Sequence, residues 1–391
     1  MQKWVKILLA LAAAAFLAWG LKGLTGDVGM ARKRVDMEAY WTAGRLLLTH
    51  QNPYDVSRVA AMESLPRSRA WRALLPRNPP WTLPLFLPLG MLGYANAYWL
   101  WDVASLAGVL GALALLANIY GPYRPAWAAF LPLFFVPTLL FLTVAQTGWL
   151  VLLGFALFLR CERGSPLAAG AGLFLATMKF NICFLFWPVF LIWAVERRQW
   201  RQLAGMGALV VGALGFVLIR DPAVVGQYLG SLYDTHLATQ QFSSLAGLCR
   251  RLAGSPWPDF AFPALGVIWV VFYYVRARET WDWRERLPWV LLVSLALTPY
   301  EFFLDELLAV LAVAAAASAA KRRPGSRQLA ALGLFLMVQA VILYLPSAGA
   351  SPAHYAYSWT PAAWLVLYWL ANRQPQARGE GGTALSAQAL G

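Results

Sequence analysis

An aspartate set among arginines opens the stretch of this sequence with the most capacity for chemistry. Asp36 follows Arg32, Lys33, Arg34 and Val35 and begins Asp36-Met-Glu-Ala-Tyr40-Trp-Thr-Ala-Gly44; Arg45, Arg58, Arg67, Arg69, Arg72 and Arg77 come after it. Such a density of cations reads as an electropositive funnel for an anionic ligand such as a lipid-linked phosphate, or as a solvated face touching lipid headgroups. Asp36 is either the N-cap of a helix, with Glu38 complementing the dipole, or a carboxylate held among cations for use. Lys179 stands at a turn between two apolar runs, flanked by Met178, Phe180 and Asn181. There it either snorkels to the headgroups or meets an anion. His236, in a loop, is either solvated or a ligand-binding group. Glu301 fits a helix cap, whereas Asp305, one turn deeper, is costlier to bury without purpose. Cys161, Cys183 and Cys249 lie far apart and match no ligand or redox spacing. No carboxylates are paired at metal-ligand spacing, so neither a metal nor a cofactor is expected.

The elements that must position these groups are membrane helices. Of 391 residues, 60% are hydrophobic and 13% charged, against about 45–50% and about 25% in soluble domains. The 20 tryptophans favour the level of the headgroups, where an apolar body and an N–H are both satisfied. The net charge of +14 comes from short basic clusters between apolar runs, not from one stripe, so nucleic-acid binding is not expected. Lys3 and Lys6 precede an apolar run to about residue 21 without a convincing cleavage site, which reads as an uncleaved signal anchor with a cytoplasmic N-terminus. Further apolar runs cover 97–118, 127–144, 149–159, 167–178, 182–195, 203–219, 260–275, 287–297, 303–320, 329–344 and 359–371. Several fall short of the roughly 20 residues needed to span hydrocarbon. They fit as helices extended into neighbouring turns, or as broken helices inside the bundle.

About twelve spans follow. The threading then puts Arg160 with Arg163, Arg197 with Arg198 and Arg201, Arg276 to Arg286, Lys321 to Arg327, and Arg373 with Arg378 all on the cytoplasmic side. Segments 25–80 and 220–259 fall outside, with the turns at Gln146, Lys179, Tyr300 and His354. The result is one membrane domain over 1–373, followed by a polar cytoplasmic tail over 374–391 with the composition of a disordered segment.

Asp36, Tyr40, Ala43 and Asn52-Pro53-Tyr54-Asp55 resemble the opening signature of glycosyltransferase family 87, membrane enzymes of the GT-C fold. The resemblance continues in Asn78-Pro79-Pro80 with Pro84 and Pro88, similar to the family's proline-rich juxtamembrane stretch. Ala145-Gln146-Thr-Gly-Trp149 is similar to its Gly-Gln-x-Asn turn, and Met178-Lys179 to its Lys-Pro turn. Gln241-Phe-Ser-Ser244-Leu-Ala-Gly resembles its Asn-Gln-Ser-Leu segment, and Thr298-Pro299-Tyr300 with Asp305 its Ser-Pro-His plus aspartate. The matches run in the family's order and share an outer placement. Ala145 for Gly, Trp149 near the Asn, Phe180 for Pro and Tyr300 for His mark a divergent member.

The resemblance implies an all-α polytopic GT-C-like bundle of about twelve transmembrane helices with outer juxtamembrane helices, in a bacterial-type plasma membrane. It implies transfer of a sugar, mannose or another hexose or pentose, with inversion, from a polyprenyl-phosphate donor to a glycolipid or glycan hydroxyl at the outer face. A sugar hydroxyl is a poor nucleophile and needs a carboxylate to take its proton, the role expected of Asp36. The departing phosphate gathers charge and needs fixed cations: Lys179 first, then Arg34, Arg45 and His236. Tyr40, Gln146, Gln241, Tyr300 and Asp305 are the expected substrate contacts, although Gln146 also fits a residue that only closes a turn. The rival reading is a lipid or lipid-linked-sugar transporter or flippase. Against it, no internal repeat is evident and the polar candidates gather at one face. A noncatalytic scaffold is the second rival, and it would tolerate loss of the Asp36 carboxylate.

Overall fold

The computed structural model describes residues 35–63, 74–121, 128, 130–234, 242–320, 325–345, 348–350 and 354–372. The expected N-terminal anchor, Arg34, His236, Gln241 and the tail over 374–391 lie outside the described residues. Among the described residues every regular element is a helix. In chain order the principal ones are α1 (Val35–Leu48), α2 (Val56–Met62), α3 (Tyr94–Tyr120), α4 (Val136–Val144), α5 (Gly148–Cys161), α6 (Pro166–Ala176) and α7 (Phe186–Glu196). Then come α8 (Trp200–Arg220), α9 (Val224–Asp234), α10 (Leu245–Ala253), α11 (Pro258–Ala277), α12 (Trp283–Leu297), α13 (Val310–Ser318), α14 (Ser326–Tyr344) and α15 (Thr360–Asn372).

Five stretches are long and apolar enough to cross a membrane: Tyr94–Tyr120, Pro166–Cys183, Trp200–Arg220, Pro258–Thr280 and Ser326–Tyr344. About twelve spans were expected; the remaining apolar runs among the described residues form shorter helices. The difference follows from what each helix faces. On α3, Trp99, Val103, Leu106 and Leu110 recur at helical spacing and are exposed, while Ala97, Trp101, Ser105, Gly108 and Ala112 on the opposite face are buried. Phe260, Leu265, Ile268, Phe272 and Val275 form a similar exposed apolar face on α11. An apolar face without protein neighbours is stable only against lipid. By contrast α5 is buried along most of its length and α13 nearly throughout. A helix sheathed by other helices satisfies its ends within protein and need not span the hydrocarbon.

One short helix shows how this works. The apolar run over 127–144 breaks at Phe135, ahead of Pro137, into Phe130–Leu133 and α4. At the break, the Gln339 side chain of α14 accepts from Val136 N (3.3 Å) and donates to Phe134 O (3.0 Å).

Arg163 pairs with Asp282 at 2.9 Å, and the Arg197 guanidinium donates to Arg278 O at 2.8 Å. These contacts gather the basic turns after α5, α7 and α11 at one end of the bundle. The turns before α5 and after α6 and α12 lie at the other, and there the candidate residues meet.

Candidate active site

Helix α1 is located by backbone contact. A Cβ on Gly44 would stand 2.2 Å from Phe86 O, and one on Gly90 would stand 2.4 Å from Arg45 N, so α1 can lie this close to residues 86–90 only with glycine at both positions. Tyr40 then stacks on Phe86 with ring centroids 4.7 Å apart, and the Trp41 indole donates to Leu92 O at 2.9 Å. Fixed in this way, the first turn of α1 carries Asp36 to the turn that follows α4. That turn is made by Ala145 in the left-handed region (φ 57°, ψ 37°), and the Trp101 indole holds its carbonyl at 2.8 Å. It presents Gln146 and Thr147, both buried. The Tyr40 hydroxyl lies against Thr147, and the Gln146 carboxamide is within hydrogen-bonding reach of the Asp36 carboxylate.

Lys179 comes from the opposite side. It interrupts the Thr177–Cys183 helical turn with φ −130° and ψ 77°, and its neighbours are strapped in place. Asn78 Nδ2 donates to Met178 O (3.2 Å), Trp81 Nε1 to Thr177 Oγ1 (3.0 Å), Asn181 Nδ2 to Tyr300 O (3.0 Å) and Thr298 Oγ1 to Asn181 O (3.0 Å). The Lys179 ammonium donates to Gln146 Oε1 at 2.7 Å and forms an ion pair with Asp305 Oδ1. Asp305 is itself fixed, because its other oxygen accepts from Phe302 N at 3.1 Å. Gln146 thus has its oxygen on the cation and its amide nitrogen for the carboxylate of Asp36.

The electrostatics follow from burial and from these neighbours. Burial pushes the Asp36 carboxyl above the ordinary aspartate range; Lys179, the Gln146 hydrogen bond and Arg77 pull it back, while Asp305 adds to the rise. Arg77, just before Asn78-Pro79-Pro80, lies within electrostatic range of both Asp36 and the Tyr300 phenol. Burial pushes Tyr300 up as well, so its hydroxyl stays protonated and available as a donor. Glu301 is fully buried and neither carboxylate oxygen has a hydrogen-bond partner among the described residues. Burial and the nearby Glu306 and Asp305 raise it well above the usual carboxylate range.

Of the residues singled out from the sequence, Asp36, Tyr40, Gln146, Lys179, Tyr300 and Asp305 come together from separate parts of the chain. Arg45 does not join them: it lies nine residues along α1 from Asp36, about 13 Å at the helical rise. Its exposed side chain donates to Gly90 O at 3.1 Å. The capping role expected of Glu301 belongs to Asp305, whose carboxylate meets the backbone N–H of Phe302. Sequence reasoning passed over Arg77, Asn78, Thr147 and Asn181 as site residues. Arg77-Asn78 did carry a signal, standing directly before Pro79-Pro80. Among the described residues no group of three or more His, Cys, Asp or Glu side chains is placed to hold a metal ion.

This arrangement holds a half-buried carboxylate and a fixed ammonium on either side of one carboxamide, with a guanidinium in the field of the carboxylate. It can take a proton from a hydroxyl while stabilising negative charge on a neighbouring group. Comparison with known proteins gives a match to the family model of glycosyltransferase family 87 over residues 77–352. The matched region contains Arg77, Gln146, Lys179, Tyr300 and Asp305, and Asp36 and Tyr40 precede it. No curated protein and no solved structure matches the chain.

Proposed function

Since the chain belongs to glycosyltransferase family 87, we propose that it moves a sugar from a polyprenyl-phosphate donor to a hydroxyl of a glycolipid or glycan, at the outer membrane face and with inversion. The sugar is mannose or another hexose or pentose. The observation that carries this reading is the pairing of Asp36 and Lys179 through Gln146. In the reaction, the acceptor oxygen attacks the anomeric carbon from the face opposite the phosphate, and its proton passes to the Asp36 carboxylate. The bond from the anomeric carbon to the phosphate oxygen breaks, and its electron pair leaves with that oxygen. Asp36 is the general base, and a raised pKa makes its carboxylate the stronger one. Lys179, oriented by Gln146 and Asp305, supports the charge growing on the phosphate without needing to reorganise. Tyr300 and Tyr40 are the hydroxyls assigned to contact with the sugar or the phosphate. The reading assigns the phosphate charge to side-chain cations and calls on no metal.

The test is incubation of detergent-purified protein with a panel of labelled polyprenyl-phosphate sugars in the presence of a chelator, wild type beside Asp36→Asn. Wild type is expected to transfer or slowly hydrolyse one donor, and the variant to lose about 10²-fold or more in rate. Retained turnover in Asp36→Asn would remove Asp36 from the mechanism, and inactivity of wild type across the panel would remove the donor class.

A further inference from the structure

Arg77 has no part in the reaction as written above, yet the fold brings it to the reacting groups. Asn78, the next residue, reaches across 100 positions of sequence to bond Met178 O at 3.2 Å, and Trp81 bonds Thr177 at 3.0 Å. The Asn78 carbonyl is held in turn by the Tyr54 hydroxyl at 2.8 Å. Arg77 is therefore fixed to the segment that carries Lys179, and its guanidinium lies within electrostatic range of Asp36 and Tyr300. With Asp36 and Asp305 ionised, Lys179 and Arg77 balance them. Lys179 is paired with Asp305, and Arg77 is the second cation in the field of Asp36.

The reaction moves charge within this set. The donor is a phosphodiester with one negative charge, and the departing polyprenyl phosphate is a monoester that gains a second near neutral pH. Over the same step Asp36 takes the acceptor's proton and becomes neutral. The anion opposite Arg77 thus passes from Asp36 to the phosphate. We propose that Arg77 is a second phosphate-binding residue, which with Lys179 holds the dianionic polyprenyl phosphate as it leaves, so that the site binds a lipid phosphate monoester more tightly than a diester. This inference rests on the glycosyl-transfer reading above.

The experiment measures product inhibition by polyprenyl phosphate and the donor KM for wild type, Arg77→Met and Arg77→Lys. Loss of a charge-assisted contact to the dianion is expected to weaken inhibition in Arg77→Met by about tenfold or more. The donor KM should change by less than about threefold, kcat should fall, and Arg77→Lys should recover part of the loss. Equal inhibition of wild type and Arg77→Met would overturn the role of Arg77 alone. Failure of polyprenyl phosphate to bind wild type at all would overturn the donor class on which it rests. A second measurement covers an Arg77→Met protein that does not fold. Polyprenyl phosphate binding to the Asp36→Asn protein should tighten from about pH 5 to about pH 7.5 as the monoester ionises, while a polyprenyl methyl phosphate diester should bind evenly. Binding of the monoester that is flat with pH would overturn the proposal.

Discussion

Lys179 and Asp305 meet as an ion pair across 126 residues of sequence, with the lysine side chain 14% exposed and the aspartate 3%. A lysine near a membrane boundary would ordinarily send its ammonium outward to the headgroups. Here Asp305 and Gln146 hold it inward, and Phe302 N–H holds Asp305. The cation is therefore placed before any ligand arrives, which is what electrostatic stabilisation of a transition state requires.

Removing one member of such a pair leaves a buried charge without compensation, at about 3–5 kcal/mol, whereas removing both leaves none. Lys179→Met and Asp305→Asn are each expected to lower stability by several kcal/mol on that scale. The double variant should be more stable than the sum of the two predicts. Unfolding midpoints in one detergent for the four proteins measure the coupling, and additive losses would mean that the ion pair contributes nothing.

The pH dependence follows from Asp36. Burial raises its folded pKa, so the base form is lost as pH falls through a value above the ordinary aspartate pKa of about 3.9. The acid limb of kcat/KM should therefore lie higher than for an exposed aspartate. The Gln146 hydrogen bond favours the ionised form, and Gln146→Leu should move that limb to still higher pH. Rate profiles of the two proteins decide it; a limb that stays in place or moves to lower pH would exclude Gln146 as a partner of the carboxylate.

Ala145 adopts φ 57° and ψ 37°, where a Cβ costs about 1–2 kcal/mol and glycine none. This is the position at which the family resemblance places a glycine. Ala145→Gly should raise stability by about 0.5–1 kcal/mol, after allowing for the greater freedom of glycine in the unfolded chain. Thermal unfolding checks it, and a lower midpoint would mean that the methyl group packs to greater advantage than the strain it causes.

Asp36 was legible in the sequence as a lone aspartate among arginines, and Gln146 and Lys179 as polar residues at turns between apolar runs, each with a capping, turn-closing or snorkelling alternative that spacing alone did not remove. Asp305 was legible as a residue but not as a role, since an ion pair to Lys179 and a bond to its own helix start leave no local trace. Arg77 and Arg45 are two of several arginines in the segment over residues 25–80. The Asn78-Pro79-Pro80 after the first is a local sign, and tertiary contacts complete the distinction: Asn78 fastens Arg77 beside Lys179, while Arg45 serves the carbonyl of Gly90. Helix type was plain from composition, but helix length was not. Apolar residues that face lipid on α11 and apolar residues that face other helices on α5 have the same hydropathy, so counting apolar runs overstates the number of helices of spanning length.

The Gln339 contact at the break before α4 has a consequence for biogenesis. Val136 N–H and Phe134 C=O are made some 200 residues before the side chain that satisfies them, and unpaired backbone groups in hydrocarbon cost several kcal/mol each. A ribosome that has delivered only the first half of this chain has therefore delivered a break whose two backbone groups still lack their side-chain partner. That break must be sheltered by water or by the insertion machinery until α14 emerges, so the order in which the helices settle differs from the order in which they are synthesised.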